Sequence, residues 1–204
     1  GVLRNVRIPP ADVLVHMNGR GAHHPASGSN VTYAWQQKDL ERLLRHGRDK
    51  LRRVVFLSML GAGPRAAFQL QERAWQCEEI IRQSGIEHVI FRSSWIFAWP
   101  EHRLRTFRRD VRLFTRVPFA GNPEQRVQPV AAANIVEGVV KAVRLKLPGS
   151  KTYDVGGPKV YTLQSLVAAL AQEADSTRLS VRWSHATDGW PAFLARRLVP
   201  SWAE

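Results

Sequence analysis

Hydrophobic and polar positions alternate along this chain in blocks, and the blocks change period. The run "DVLVHM" at 12–17 is apolar and short, and "NGRG" closes it, which predicts a buried strand followed by a loop. A His/Ser/Gly-rich stretch at 21–30 leads into "TYAWQQKDLERLLRHGR", where Leu40, Leu43 and Leu44 recur at helical spacing. "RRVVFLS" is a second buried strand. A helix is predicted from about Ala67 to Gln83, closed by Ser84 and Gly85 as a C-cap, and "EHVIFR" is a third strand. Strands alternating with helices of this length imply right-handed crossovers and a parallel sheet, an α/β doubly wound class.

The second half is less regular. Residues 101–114 predict a helix with Leu104, Phe107, Val111 and Phe114 on one stripe and Arg105, Arg108, Arg109 and Arg112 on the other side. "AAANIVEGVVKAVRL" predicts an amphipathic helix ended by "PGS". "KTYDVGG" predicts a strand, "TLQSLVAALAQEA" a helix capped by Thr162, "RLSVRW" a final strand, and "WPAFLARRLV" a short helix opening on Pro191.

Composition narrows the partners. The 204 residues carry 30 Lys plus Arg against 17 Asp plus Glu, a net charge of +13 that favours contact with something acidic, whether RNA, anionic lipid or an acidic protein. The Arg-rich helix face of Arg105, Arg108, Arg109 and Arg112 is the expected basic surface; no RNA-binding signature accompanies it. The single cysteine, Cys77, excludes an internal disulfide and a Cys-rich zinc site. His23 and His24 lack companions at ligand spacing, so no metal site is expected. The apolar runs are far shorter than a membrane-crossing helix requires, and the N-terminal stretch lacks the features of a secretory signal. Gly1 stands where an initiator Met would, which leaves a processed or truncated N-terminus open.

Five blocks in order, "DVLVHMNGR", "RRVVFLSMLGA", "AWQCEEIIRQSGIEHVIFRSSWIFA", "RVQPVAAANIVEGVVKAV" and "KTYDVGGPKVYTLQSLV", resemble the atypical, extended short-chain dehydrogenase/reductase superfamily. Within it they look most similar to the branch holding the nucleotide-binding accessory subunit of mitochondrial respiratory complex I and its bacterial NAD(P)-dependent relatives. The resemblance implies an incomplete Rossmann-like doubly wound sheet over residues 1–150 and a small C-terminal α/β lobe over 151–204, to which about 101–128 also contribute. It is incomplete because the family begins with a strand, a Gly-rich turn and a helix that hold the pyrophosphate, and "NGRG" here follows what would be the fourth family strand. The expectation is that those first strands lie on another polypeptide, are absent from this sequence, or have been lost, and that a partner covers the edge left behind.

The resemblance also says where chemistry would sit. Family reductases place a Tyr, and a Lys four residues later, on the helix after the serine-bearing strand, so that the phenol transfers a proton. The corresponding positions hold Leu70 and Ala74, or with a one-residue slip Gln69 and Arg73; neither register offers the pair. No catalytic residue is therefore assigned. Vestigial cofactor contacts are expected at Asn18, Gly19 and Arg20 in the loop after the first strand, at Ser58 on the family serine, at Arg73, and at Ser93 and Ser94 in the loop "RSSWIFA". NADP(H) or NAD(H) would be the cofactor if the N-terminal part is supplied.

The expected role is a non-catalytic, reductase-like subunit of a large assembly, most naturally complex I, peripheral on the matrix side of the mitochondrial inner membrane. Its partners would be other protein subunits and anionic lipid at the membrane surface. Two alternatives stand beside it: an active NAD(P)-dependent reductase or epimerase completed by a separate N-terminal segment, and a scaffold in a ribonucleoprotein such as the mitochondrial ribosome, with nucleic acid as partner.

Overall fold

A computed structural model of the chain describes residues 11–17, 30–97, 116–120, 122–173 and 180–184. The predicted helices at 101–114 and 190–199, with Arg105, Arg108, Arg109 and Arg112, lie outside the described residues, as do Asn18, Gly19, Arg20, His23 and His24. The chain divides into two compact units, Gly1–Ser93 with Asn134–Val155, and Ser94–Ala133 with Gly156–Glu204.

The first unit is built on a parallel sheet. Strands β1 (Val13–Met17), β2 (Arg53–Met59), β3 (His88–Ser93) and β8 (Lys151–Val155) pair side by side in that order, all parallel. The strand Lys151–Val155, which a boundary at residue 150 assigns to the lobe, is thus the fourth strand of this sheet. Parallel neighbours demand crossovers, and the helical blocks supply them: α1 (Asn30–Gly47) joins β1 to β2, and α2 (Gln69–Gln83) joins β2 to β3. Another helix, α3 (Ala132–Val143), precedes β8.

Side chains alternate across the sheet, so each strand feeds two cores. On one face Leu40 and Leu44 of α1 and Cys77 and Ile81 of α2 bury against Val54, Phe56 and Ile90, with Leu14 alongside. On the other, Ala142, Val139 and Val143 of α3 pack on Val55, Val89 and Phe91, with Val13 alongside. Val54, Val55, Phe56, Val89 and Ile90 are all fully buried, which is why "VVFL" and "HVIF" read as continuous apolar runs rather than alternating ones.

Polar groups lock this packing. Arg53 is buried, donates from Nη1 to the Ala142 carbonyl at 2.9 Å and is paired with Glu87 through Nε at 2.6 Å. It is thereby a second donor to a carbonyl at the C-terminal end of α3 that also accepts the Leu145 N–H at 3.1 Å. The end of α2 follows the predicted cap. Ser84 Oγ donates to the Ile81 carbonyl at 2.6 Å, and Gly85 turns the chain at φ +72°. At the end of α3 the left-handed position falls to Leu145, with φ +56° and the side chain 41% exposed.

The second unit holds short pairings. Strand β4 (Ile96–Phe97) runs parallel to β7 (Val130–Ala131), β5 (Arg116–Ala120) parallel to β10 (Ser180–Ser184), and β6 (Arg126–Val127) antiparallel to β9 (Tyr161–Thr162). Helix α4 (Leu163–Glu173) buries Leu163, Leu166, Val167 and Ala171. Thr162 caps it as predicted: Oγ1 accepts the Ser165 N–H at 3.1 Å. Gly157 has its Cα so close to the Pro129 carbonyl that a methyl group would overlap it. No helix among the described residues is long and apolar enough to cross a membrane.

Candidate functional site

In open parallel sheets ligands bind beyond the carboxyl ends of the strands, so the ends of β2 and β3 and the helix between them are the place to look for chemistry. Ser58 lies there, near the end of β2, and Ser93 ends β3. Both are buried. The Ser93 hydroxyl donates to the Ser58 carbonyl at 3.2 Å, joining the two strand ends.

The Ser58 hydroxyl is itself committed. It donates at 2.6 Å to Oε1 of Glu78, a residue of α2 with no solvent exposure at all. Two arginines converge on the same carboxylate. Arg92 of β3 reaches it through Nε at 2.9 Å and Nη2 at 2.6 Å, a two-pronged contact, and Arg82, one turn further along α2, through Nη2 at 2.8 Å. Arg82 also donates to Glu79 at 2.6 Å and to Thr152 of β8 at 3.2 Å. One buried carboxylate therefore ties together β2, α2 and β3, and through Arg82 reaches β8.

The electrostatics are those of a fixed ion cluster. Burial works against charge on Glu78, but hydrogen bonds from Arg92, Ser58 and Arg82 outweigh it and hold the carboxyl below its usual range. The same contact with Glu78 raises Arg92 further. Both stay charged across the physiological range. Cys77, next door, is pushed up to about 11, by burial first and then by the Glu78 charge. Its thiol is inert at neutral pH.

Position 70 on α2 carries a half-buried Leu and position 74 a fully buried Ala. They share the helix stripe that continues to Glu78, so the face that would present a phenol and an ammonium is instead hydrocarbon, then a buried carboxylate. Residues 69–83 contain neither Tyr nor Lys. Arg73 is half-buried on the same helix. Ser94 is half-buried just past β3 and belongs to the second unit.

A dinucleotide phosphate does not fit the described turn between β2 and α2. Gly61 has φ +80°, but the space a phosphate would need beside it is filled by the Gln71 side chain, which donates to the Leu60 carbonyl at 2.9 Å. The amides of Gln71 and Glu72 already bond the Phe68 carbonyl. Glu72 places a negative charge in the first turn, where an anion would have to sit. Among the described residues no group of His, Cys, Asp and Glu could hold a metal ion.

Sequence reasoning passed over Glu78, Arg82 and Arg92. The signal was present: Ala74, Cys77, Glu78 and Ile81 recur at helical spacing, which puts a carboxylate on the buried stripe of α2. A carboxylate there requires a cationic partner, and Arg92 at the end of an otherwise apolar strand supplies it.

Comparison with known proteins agrees with this architecture. No family model matches the chain. In sequence it is 27% identical over 117 residues to NADH dehydrogenase [ubiquinone] 1 alpha subcomplex subunit 9, mitochondrial, of Arabidopsis thaliana, a match covering 56% of this chain and 29% of that protein. Among solved structures, MoeE5 in complex with UDP-glucuronic acid and NAD superposes with a TM-score of 0.70 at 14% identity, over 86% of this chain and 66% of that one. The dTDP-glucose 4,6-dehydratase DesIV of Streptomyces venezuelae gives 0.69 at 17% identity, over 92% and 67%. The UDP-N-acetylglucosamine 4-epimerase of Bacillus cereus gives 0.63 at 15% identity, over 92% and 76%. The match thus spans under a third of the curated relative's length. The chain has the α/β Rossmann-like fold of these epimerases and dehydratases, and is weakly homologous, over part of its length, to a mitochondrial complex I subunit.

Proposed function

We propose that this chain is a non-catalytic, reductase-like subunit of a large assembly, and that the assembly is mitochondrial respiratory complex I, with the chain peripheral on the matrix side of the inner membrane. The observation that carries the loss of catalysis is the commitment of the Ser58 proton to Glu78. In a working reductase that hydroxyl would be free to meet a substrate carbonyl beside a phenol and an ammonium. Here its oxygen lies 2.6 Å from, and donates its hydrogen to, a carboxylate that stays ionised, and the two positions for the partners hold Leu70 and Ala74. Ser58, Ser93 and Ser94 on this reading are architectural, and Arg73 is a helix-packing residue rather than a cofactor contact. The weak homology supports the assembly, and the net charge of +13 suits acidic neighbours or anionic lipid.

The test is biochemical. Tagged protein from its native cells should migrate on native gels with the NADH dehydrogenase activity band, and the purified chain should oxidise no NADH or NADPH with nucleotide-sugar or carbonyl substrates. Migration as a free small species, or with ribosomal particles, overturns the complex I reading. A second reading is favoured by the NAD-bound structural neighbours: a reductase or epimerase completed by a separate segment. Turnover in the isolated native complex, lost on Ser58→Ala, would establish that reading and remove the first.

A further inference from the structure

Parallel strands start together, so the loops that lead into them gather at one end of the sheet, opposite the end where ligands of such sheets bind. In the first unit that end is level. Val13 is in register with Arg53, Val54 with His88 and Val89 with Lys151, so neighbouring strands begin within one residue of each other. Arg53 ties the rim together, reaching Glu87 before β3 and the Ala142 carbonyl at the end of α3. The Arg52 N–H donates to the Asp12 carbonyl at 2.7 Å, and Glu87 lies against Gly149 in the loop before β8.

This rim is basic. Arg48, Lys50 and Arg52 lead from α1 into β2, and Arg144, Lys146 and Lys151 flank the loop from α3 to β8; all six are exposed, and none is in an ion pair among the described residues. The carboxylates at this end are Asp12, Asp49 and Glu87, of which Glu87 is taken by Arg53. Residues 1–10, which lead into Asp12, bring Arg4 and Arg7 and no carboxylate.

The loop from α3 to β8 also holds out an apolar tip. The Leu145 N–H bonds the Ala142 carbonyl at 3.1 Å and the Lys146 N–H the Lys141 carbonyl at 2.9 Å, the paired bonds of a helix stop that ordinarily puts glycine where Leu145 stands. Leu145, at φ +56°, and Ser150, at φ +52°, are the two non-glycine residues with left-handed backbone among the described residues, and both lie in this loop. Leu147 anchors it, packed against the core of Val55, Val89 and Phe91. Leu145 is left 41% exposed between two basic neighbours. Strain of this kind, held for a side chain that the fold does not bury, marks a contact made outside the chain.

We infer that this rim is a membrane-docking edge, at which the six basic side chains meet the phosphates of anionic lipid headgroups while Leu145 enters the boundary with the acyl chains. Phosphate over hydrocarbon is the surface that matches basic groups around an apolar tip. RNA offers the same charge, but residues 48–52, 84–88 and 144–151 contain no Tyr, Trp or Phe on which a base could stack. The inference rests on the peripheral membrane placement proposed above and names the face that makes it.

The test is co-sedimentation of the purified full chain with vesicles of phosphatidylcholine alone, or of phosphatidylcholine with about one-third phosphatidylglycerol. Binding should need the anionic lipid and fall steeply as salt rises from about 0.1 M to about 1 M. Arg144→Gln with Lys146→Gln should weaken it about twenty-five-fold, a factor of about five for each charge near an anionic surface. Leu145→Gly should weaken it about tenfold while raising the melting temperature, so a damaged fold cannot mimic the loss. Lys38→Gln with Arg65→Gln makes the same charge change away from the rim, on α1 and in the loop that follows β2, and should alter binding less than about twofold. Anionic binding that survives both rim variants, or that the control pair weakens equally, overturns the docking edge and leaves the peripheral placement standing. Displacement of the vesicles by a single-stranded RNA at equal phosphate concentration overturns the lipid assignment. No binding to either vesicle overturns the peripheral placement and the docking edge together, whereas membership of complex I is decided separately by the native gel.

Discussion

Replacing Glu78 by Gln is the sharpest perturbation of the buried cluster of Glu78 with Ser58, Arg82 and Arg92. Gln keeps the shape and one oxygen for the Ser58 hydroxyl, but turns an amide donor toward the guanidinium of Arg92, donor against donor. Removing one partner of a buried ion pair costs about 3–5 kcal/mol, because the other charge is left without compensation. The arginine side chains here are 24% and 31% exposed, so water recovers part of that loss and about 3 kcal/mol is expected. In a chain of this length that lowers the melting temperature by roughly 6–12 °C. Urea unfolding followed by far-ultraviolet circular dichroism at pH 7 measures it. Glu79→Gln is the control: Glu79 is 35% exposed and pairs only at the surface, so its loss should cost under about 0.5 kcal/mol. Equal effects of the two substitutions would refute the reasoning. The pH dependence gives a second check. Because the folded-state carboxyl of Glu78 is held below its ordinary value of 4.5, its contribution is fully present above about that pH. It is lost as pH falls through the depressed folded value, so the gap between wild type and Glu78→Gln should be flat from pH 8 to 5 and close only below that.

Three further outcomes are expected. Cys77, buried and pushed up to about 11, should resist iodoacetamide in the native protein at pH 7.5 and react at the ordinary thiol rate in denaturant, as mass spectrometry would show. Leu145→Gly should stabilise the first unit by about 1 kcal/mol in urea unfolding, by releasing a left-handed backbone that costs a side chain about 1–2 kcal/mol. Gly157→Ala should destabilise the second unit by roughly 1–3 kcal/mol or more, visible by proteolysis of residues 156–173, because the added methyl meets the Pro129 carbonyl.

Much of the first unit was readable in advance, for local reasons. "RRVVFLS" and "EHVIFR" are apolar on both faces because helices cover both, and Leu40 and Leu44 repeat at helical spacing because α1 buries one stripe. The Ser84–Gly85 stop and the Thr162 cap are written in residues whose side chains or backbone freedom make those ends. The two-residue pairings were not readable. Ile96–Phe97 meets Val130–Ala131, and Arg126–Val127 meets Tyr161–Thr162, through contacts fixed by distant parts of the chain. The boundary at residue 150 missed for the same reason, since "KTYDV" carries no mark of the strand it will join. Within the site, the absence of Tyr and Lys could be read directly, whereas the destination of the Ser58 proton could not. Glu78 and Glu79 are adjacent and identical in type; only the turn of the helix makes one a buried hub and the other a surface group.

The guanidinium of Arg53 joins segments that are far apart in the order of synthesis. It needs the Ala142 carbonyl, and the sheet it starts needs β8. When β3 ends at Ser93 the strand that will pair with it, beginning at Lys151, has yet to be made. At ordinary elongation rates, about 5–20 residues per second, the nascent sheet waits on the order of 3–12 s with its β3 edge unpaired and Val89 and Phe91 uncovered by α3. The first unit therefore cannot finish folding as it leaves the ribosome. It closes only after residues 94–155 have emerged, and until then the β3 edge is open to pairing with the wrong strand.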